Sequence, residues 1–113
     1  MAYQLMGTAK CKETQKAQRW LKERKVEFHF LDLDKKPLSP GELDNIAGAQ
    51  GGPGNLVDTS SSIFQKAGLK YMDYDPRTEL LEKPGLVKTP ILREGKRSLV
   101  GFDPQKYKEF THG

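Results

Sequence analysis

The chain holds a single cysteine in 113 residues. One thiol cannot close an internal disulfide, so a secreted fold stapled by bridges is excluded. No run of about 18 apolar residues occurs, so no segment reads as a transmembrane helix. With no basic-then-apolar leader pattern either, a cytoplasmic protein with no membrane association is expected. Histidine is scarce, with only His29 and His112. No group of Cys, His, Asp and Glu has metal-ligand spacing, so no metal and no resident cofactor are expected. Charge of one sign is not concentrated. The net charge is +4, with lysines scattered over helical and loop segments. That scatter is the pattern of a solvated surface, and nucleic-acid binding is not expected. The run Gly51-Gly52-Pro53-Gly54 lacks the preceding strand and the Gly-Lys-Ser/Thr ending of a phosphate-cradling loop, and reads as a connection between helices.

What is present suits one domain with one core over residues 1–113. Tyr3 to Met6 is a short apolar strand. Thr14 to Lys25 is helical, with Ala17, Trp20 and Leu21 along one side; Trp20 belongs to the core. Glu27 to Leu33 alternates Phe28 and Phe30 against His29, Leu31 and Leu33, as a strand covered on both faces does. His29 is expected to be packed rather than a base, Asp32 and Asp34 mark the strand end, and His112 lies near a fraying terminus. Strand, helix and strand in about thirty residues make a βαβ unit with parallel strands.

Residues 37–84 contain no convincing strand and read as a helical insertion between residues 1–34 and 86–113, which carry the sheet. Ser39, Pro40 and Glu42 form a capping box that opens a helix through Leu43, Ile46 and Ala47, broken by Gly48 and the glycine run. Shorter helices are expected over Ser61 to Lys66 and Pro76 to Glu82. Thr89 to Arg93 and Ser98 to Phe102 are strands joined by a tight turn at Gly95. Asp103 and Pro104 open a last helix through Tyr107 and Phe110.

Cys11 is the candidate nucleophile. The loop Gly7-Thr8-Ala9-Lys10 delivers it to the start of the first helix, where unpaired backbone N–H groups and the helix dipole favour a thiolate. Lys10 and Lys12 act in the same sense, and Thr14 lies one turn on, able to offer its hydroxyl to the sulfur.

The order βαβ, helices, ββα, with a cysteine after the first strand and Thr89-Pro90 before the third, resembles a thioredoxin-like α/β fold: a four-stranded mixed sheet with flanking helices. Four stretches resemble the ArsC family, which includes glutaredoxin-coupled arsenate reductases, Spx regulators and YffB-like proteins: Gly7 to Thr14, Leu56 to Lys66, Lys83 to Ile91, and Val100-Gly101-Phe102. The resemblance implies a cis Thr89-Pro90 bond facing Cys11 and framing a substrate thiol. It also implies glutathione or a glutaredoxin-like protein as reductant. Arginines that hold the oxyanion in the arsenate reductases match Asp58 or Thr59, Thr89, and Phe102 or Asp103 here, so all three are missing. Weak or absent arsenate reduction is therefore expected. Arg93 and Arg97 are the nearby candidate replacements, Arg93 pointing to the same face as Ile91 on an alternating strand. Thr14 stands where many Spx proteins have a second cysteine, so an intramolecular disulfide switch is impossible, and Cys11 must form mixed disulfides. The expectation is a monomeric monothiol reductase. The alternative is a non-enzymatic Spx-like regulator that docks on a transcription component.

Overall fold

The structure is a computed structural model that describes residues 3–112. The side chain of His112 lies outside the described residues. The first strand, β1 (Tyr3–Gly7), turns Leu5 to one face and Met6 to the other, and both are fully buried. It therefore needs cover on both sides. Its neighbours repeat the pattern. Phe28 and Phe30 of β2 (Phe28–Asp32) join the cluster of Leu5, while Leu31 joins that of Met6. In β3 (Ile91–Glu94), Leu92 sits with Leu5 and Ile91 with Met6. With β4 (Arg97–Val100) the sheet runs β2-β1-β3-β4; β1 and β2 are parallel and the other two pairings antiparallel. The fold is the thioredoxin-like mixed sheet that the element order predicted.

Helices α1 (Lys12–Glu23) and α5 (Pro104–His112) cover the Leu5 face. The Met6 face receives α2 (Pro40–Gln50), α3 (Ser62–Lys66) and α4 (Pro76–Glu82), joined by short 3-10 turns. The predicted capping box is formed: Ser39 Oγ accepts from the Glu42 N–H at 3.2 Å, and Glu42 Oε1 accepts from the Ser39 N–H at 3.0 Å. Trp20 packs edge-on against Tyr107, as a core residue should, with the Arg24 guanidinium 4.5 Å above its ring. No helix among the described residues is long and apolar enough to cross a membrane.

Several expectations need correction. Gly48 does not break α2; the helix ends at Gly51, whose φ of 86° supplies the left-handed cap and whose N–H bonds to Ala47 O. The central block is not free of strand pairing, because Val57 bridges Val87 in antiparallel fashion. The third strand starts at Ile91, not Thr89, because Pro90 has no N–H to give the ladder. His29 is exposed on the edge strand β2 rather than packed. Asp32 does mark the strand end, its carboxylate accepting from the Asp34 N–H at 3.0 Å.

Tyr107 pins the last helix. It is 1% exposed, and its hydroxyl donates to Gly101 O at 2.9 Å. Burial pushes its phenol well above the ordinary range. Tyr107→Phe keeps the ring packing and leaves the Gly101 carbonyl without this donor. The expected cost is about 1–2 kcal/mol, read as a lower urea midpoint at unchanged slope.

Candidate functional site

The register of the central strands builds the site. Gln4 faces Arg93, Leu5 faces Leu92 and Met6 faces Ile91. Because this pairing is antiparallel, the chain entering β3 lies beside the chain leaving β1. Thr89 and Pro90 thus reach the loop that carries Cys11, and the Thr89-Pro90 bond is cis as expected. The loop is itself tied down: the Cys11 N–H donates to Thr8 O at 3.2 Å, and Gln15 Nε2 donates to Ala9 O at 2.6 Å. Cys11 is the N-cap of α1, with extended backbone (φ −77°, ψ 117°), and its carbonyl closes the first turn by accepting from the Gln15 N–H at 3.1 Å.

Around the half-buried sulfur the donors converge. Thr89 Oγ1 donates to Cys11 Sγ at 3.1 Å, and the thiol lies 3.8 Å from Thr89 O, which can accept its proton. Burial alone would push the thiol up. The hydroxyls of Thr14 and Thr89 and the Thr14 and Glu13 backbone N–H groups grouped around the sulfur outweigh it, and the thiol sits below its ordinary value. Thr14 is fully buried and its Oγ1 has no aligned partner among the described residues. With the sulfur within its reach, this hydroxyl is the one group in the shell still free to turn onto a thiolate. Thr14 is held there by Gly7: a Cβ at Gly7 would come within 2.5 Å of Thr14 Cγ2.

The other residues singled out in the sequence fare unequally. Lys10 and Lys12 are exposed and, among the described residues, make no hydrogen bond or ion pair with the site, so the groups against the sulfur rather than lysine charge lower the thiol's pKa. Arg93 is not part of the site. It points to the Ile91 face, but at the far end of β3, where Nε donates to Asn45 Oδ1 at 3.1 Å and Nη1 to Gln4 Oε1 at 3.1 Å. Arg97 is committed to Glu94 and stacks 4.3 Å above the Phe110 ring.

Sequence reasoning missed a polar cleft. A depression of ≈ 500 Å³ opens at Thr89 and is lined by Gln50, Asn55, Asp58, Lys88 and Gly101. The Val57–Val87 bridge creates it: the Asp58 N–H bonds to Leu86 O at 2.7 Å and the Lys88 N–H to Leu56 O at 2.8 Å, which sets Asp58 and Lys88 just past the bridge. Asp58 and Lys88 lie in stretches that stood out in the sequence, but only the pairing brings them together. No arginine lines this cleft. A larger cleft of ≈ 760 Å³, walled by Phe64, Tyr71, Met72 and Tyr74, lies in the helical insertion; its lining holds no nucleophile of the thiol kind.

Comparison with known proteins agrees with this architecture. The family model for the ArsC family matches residues 6–110. The global transcriptional regulator Spx of Enterococcus faecalis is 32% identical over 111 residues, which span 94% of this chain and 83% of that protein. A solved YffB protein superposes with a TM-score of 0.85 at 29% identity, over 95% of this chain and 96% of its own. The arsenate reductase of Vibrio cholerae gives a TM-score of 0.83 over 96% and 97% of the two chains; at 15% identity, that likeness is one of fold alone.

Proposed function

The chain belongs to the ArsC family, and from that premise we propose that it is a monothiol oxidoreductase in which Cys11 exchanges with small or protein disulfides, drawing its electrons from glutathione or a glutaredoxin-like protein. The observation that carries the reading is the Thr89 hydroxyl donating to Cys11 Sγ at 3.1 Å at the N-terminus of a twelve-residue helix. A thiolate there is supported by a side-chain donor and by the helix end at once. In the first step the Cys11 thiolate attacks one sulfur of a disulfide. The S–S bond breaks, a mixed disulfide forms on Cys11, and the other sulfur leaves as a thiolate that takes a proton from water. In the second step an incoming thiol loses its proton and attacks the sulfur bound to Cys11. The Cys11 thiolate is released and the incoming thiol leaves joined to the transferred half of the original disulfide; a second thiol then displaces that half, so two thiols are oxidised to one disulfide while the original disulfide is reduced to two thiols. With no second cysteine in the chain, the electrons must come from outside.

A pH series of iodoacetamide alkylation tests this. The expected midpoint lies below the free-thiol value of about 8.5. A midpoint at or above that value would remove the physical basis for a nucleophilic Cys11. A second reading, a regulator that docks on a transcription component without turnover, is favoured by the identity to Spx of Enterococcus faecalis over 94% of the chain. Sustained reduction of a disulfide by added glutathione separates the two, since a docking regulator has no need of turnover.

A further inference from the structure

Lysines are scattered along this chain, but its net charge is not. Residues 10–25 hold seven of the 19 Lys and Arg and only two of the 15 Asp and Glu, so this segment carries +5 and the rest of the chain −1. It comprises Lys10, the Cys11 cap, α1 and the turn that ends it. Thr14, Ala17 and Leu21 of α1 face inward and are fully buried. Lys12, Lys16 and Arg19, spaced i, i+4 and i+7, share the opposite, exposed side. A shallow depression of ≈ 310 Å³ lies along that side, lined by Gln15, Gln18, Arg19, Lys22 and Glu23. Gln15, which ties down the Cys11 loop through Ala9 O, thus also edges the depression.

Four of these cations serve the protein itself. Lys16 pairs with Glu13 at 3.5 Å, and the Arg24 guanidinium lies 4.5 Å above the Trp20 ring. Lys22 and Lys25 sit at the C-terminal end of α1, where the helix dipole favours cations. Lys10, Lys12 and Arg19 are exposed and form no ion pair among the described residues. Lys10 and Lys12 moreover flank Cys11 at the N-terminal end of α1, where the dipole opposes a cation. Two cations held against the dipole, one on each side of the nucleophile and neither neutralised by the protein, call for an anion from outside. That anion must arrive with a sulfur for Cys11, which an acidic protein segment supplies and a nucleic acid does not. Lys12 and Arg19 lie about 10 Å apart along the helix, the span of about three residues of extended chain. We infer that Lys10, Lys12 and Arg19 dock a protein partner that carries acidic residues within about three positions of its disulfide cysteine. This docking rests on the thiol reading of Cys11 and adds the charge of the protein with which Cys11 exchanges.

Synthetic peptides with one cysteine flanked by glutamates, glutamines or lysines, each joined to 2-thiopyridine as a mixed disulfide, test it. The Cys11 thiolate attacks the peptide sulfur, the S–S bond breaks, and the pyridyl thiolate leaves and takes a proton from water; intact mass follows the peptide adduct. At about 0.15 M salt, where charges are screened beyond about 8 Å, the glutamate peptide should react about three- to tenfold faster than the glutamine peptide. The lysine peptide should be the slowest. The combined change Lys10→Gln, Lys12→Gln and Arg19→Gln should close the gap between the glutamate and glutamine peptides. Lys35, Lys66 and Lys96 are exposed and lie outside the segment, and changing those three to glutamine removes the same charge and should keep the gap. Attraction by net charge alone would shrink the gap equally in both variants and so overturn the docking site. Equal rates for the glutamate and glutamine peptides in the unmodified protein would overturn it as well, while leaving Cys11 a working nucleophile. Suppression of the glutamate-peptide reaction by an equimolar DNA duplex would give the strip to nucleic acid instead. No adduct with any peptide would remove the thiol reading, and the docking site with it.

Discussion

Replacing Cys11 by serine is expected to abolish mixed-disulfide formation and turnover altogether. A serine hydroxyl does not ionise near neutral pH and cannot form the S–S bond on which both steps depend. Residual exchange at the unmodified rate would move the chemistry off this site, because the chain has no other thiol. The same variant reports on the fold. The thiol is held below its ordinary value by the hydroxyls of Thr14 and Thr89 and by the helix end, against burial. A group whose pKa is lowered by folding contributes stability that is present above its unfolded value, about 8.5, and is lost as pH falls through the folded value. The stability of the unmodified protein relative to Cys11→Ser should therefore rise with pH across that window and stay level above it. Urea unfolding at stepped pH measures the difference. A flat difference would mean that folding does not favour the thiolate.

Gly7→Ala is expected to be the most damaging single methyl added near the site. Gly7 is buried at the end of β1, and a Cβ there would overlap Thr14 Oγ1 and come within 2.5 Å of Thr14 Cγ2. Thr14 is fully buried and cannot swing into solvent, so either α1 lifts from the sheet or the strand end shifts. Overpacking of this kind costs typically about 1–3 kcal/mol. Either movement also takes the Thr14 hydroxyl away from the sulfur, so the alkylation midpoint should rise together with the loss of stability. The double change Gly7→Ala with Thr14→Ser removes the Thr14 methyl and should recover part of the stability. A Gly7→Ala protein with both stability and midpoint unchanged would show that this contact does not constrain the site.

Local signals were readable where they obey one rule at a time. The capping box at Ser39, the Pro40 and Pro104 starts, the turn at Gly95 and the alternation of Phe28 to Leu33 each depend on a few neighbouring residues, and each stands in the structure. Arg93 shows the limit. Its face was legible from alternation, but its distance from Cys11 depends on how far β3 runs past β1, and the pairing of Gln4 with Arg93 puts it at the wrong end. His29 failed for a similar reason: the strand pattern does not say which strand lies at the sheet edge, and β2 does.

For this protein the order of residues by itself determined the element types, the placement of one thiol at a helix start and the absence of any partner cysteine, because those depend on dihedral preference, periodicity and composition. Tertiary structure alone decided that the groups against the sulfur rather than Lys10 and Lys12 lower the thiol's pKa, and that Gly7 holds Thr14 beneath it. It alone decided, too, that Asp58 and Lys88, thirty residues apart, share one cleft. Hydrogen bonds and charge complementarity act over a few ångströms, and only strand register and the Val57–Val87 bridge bring those groups within that range.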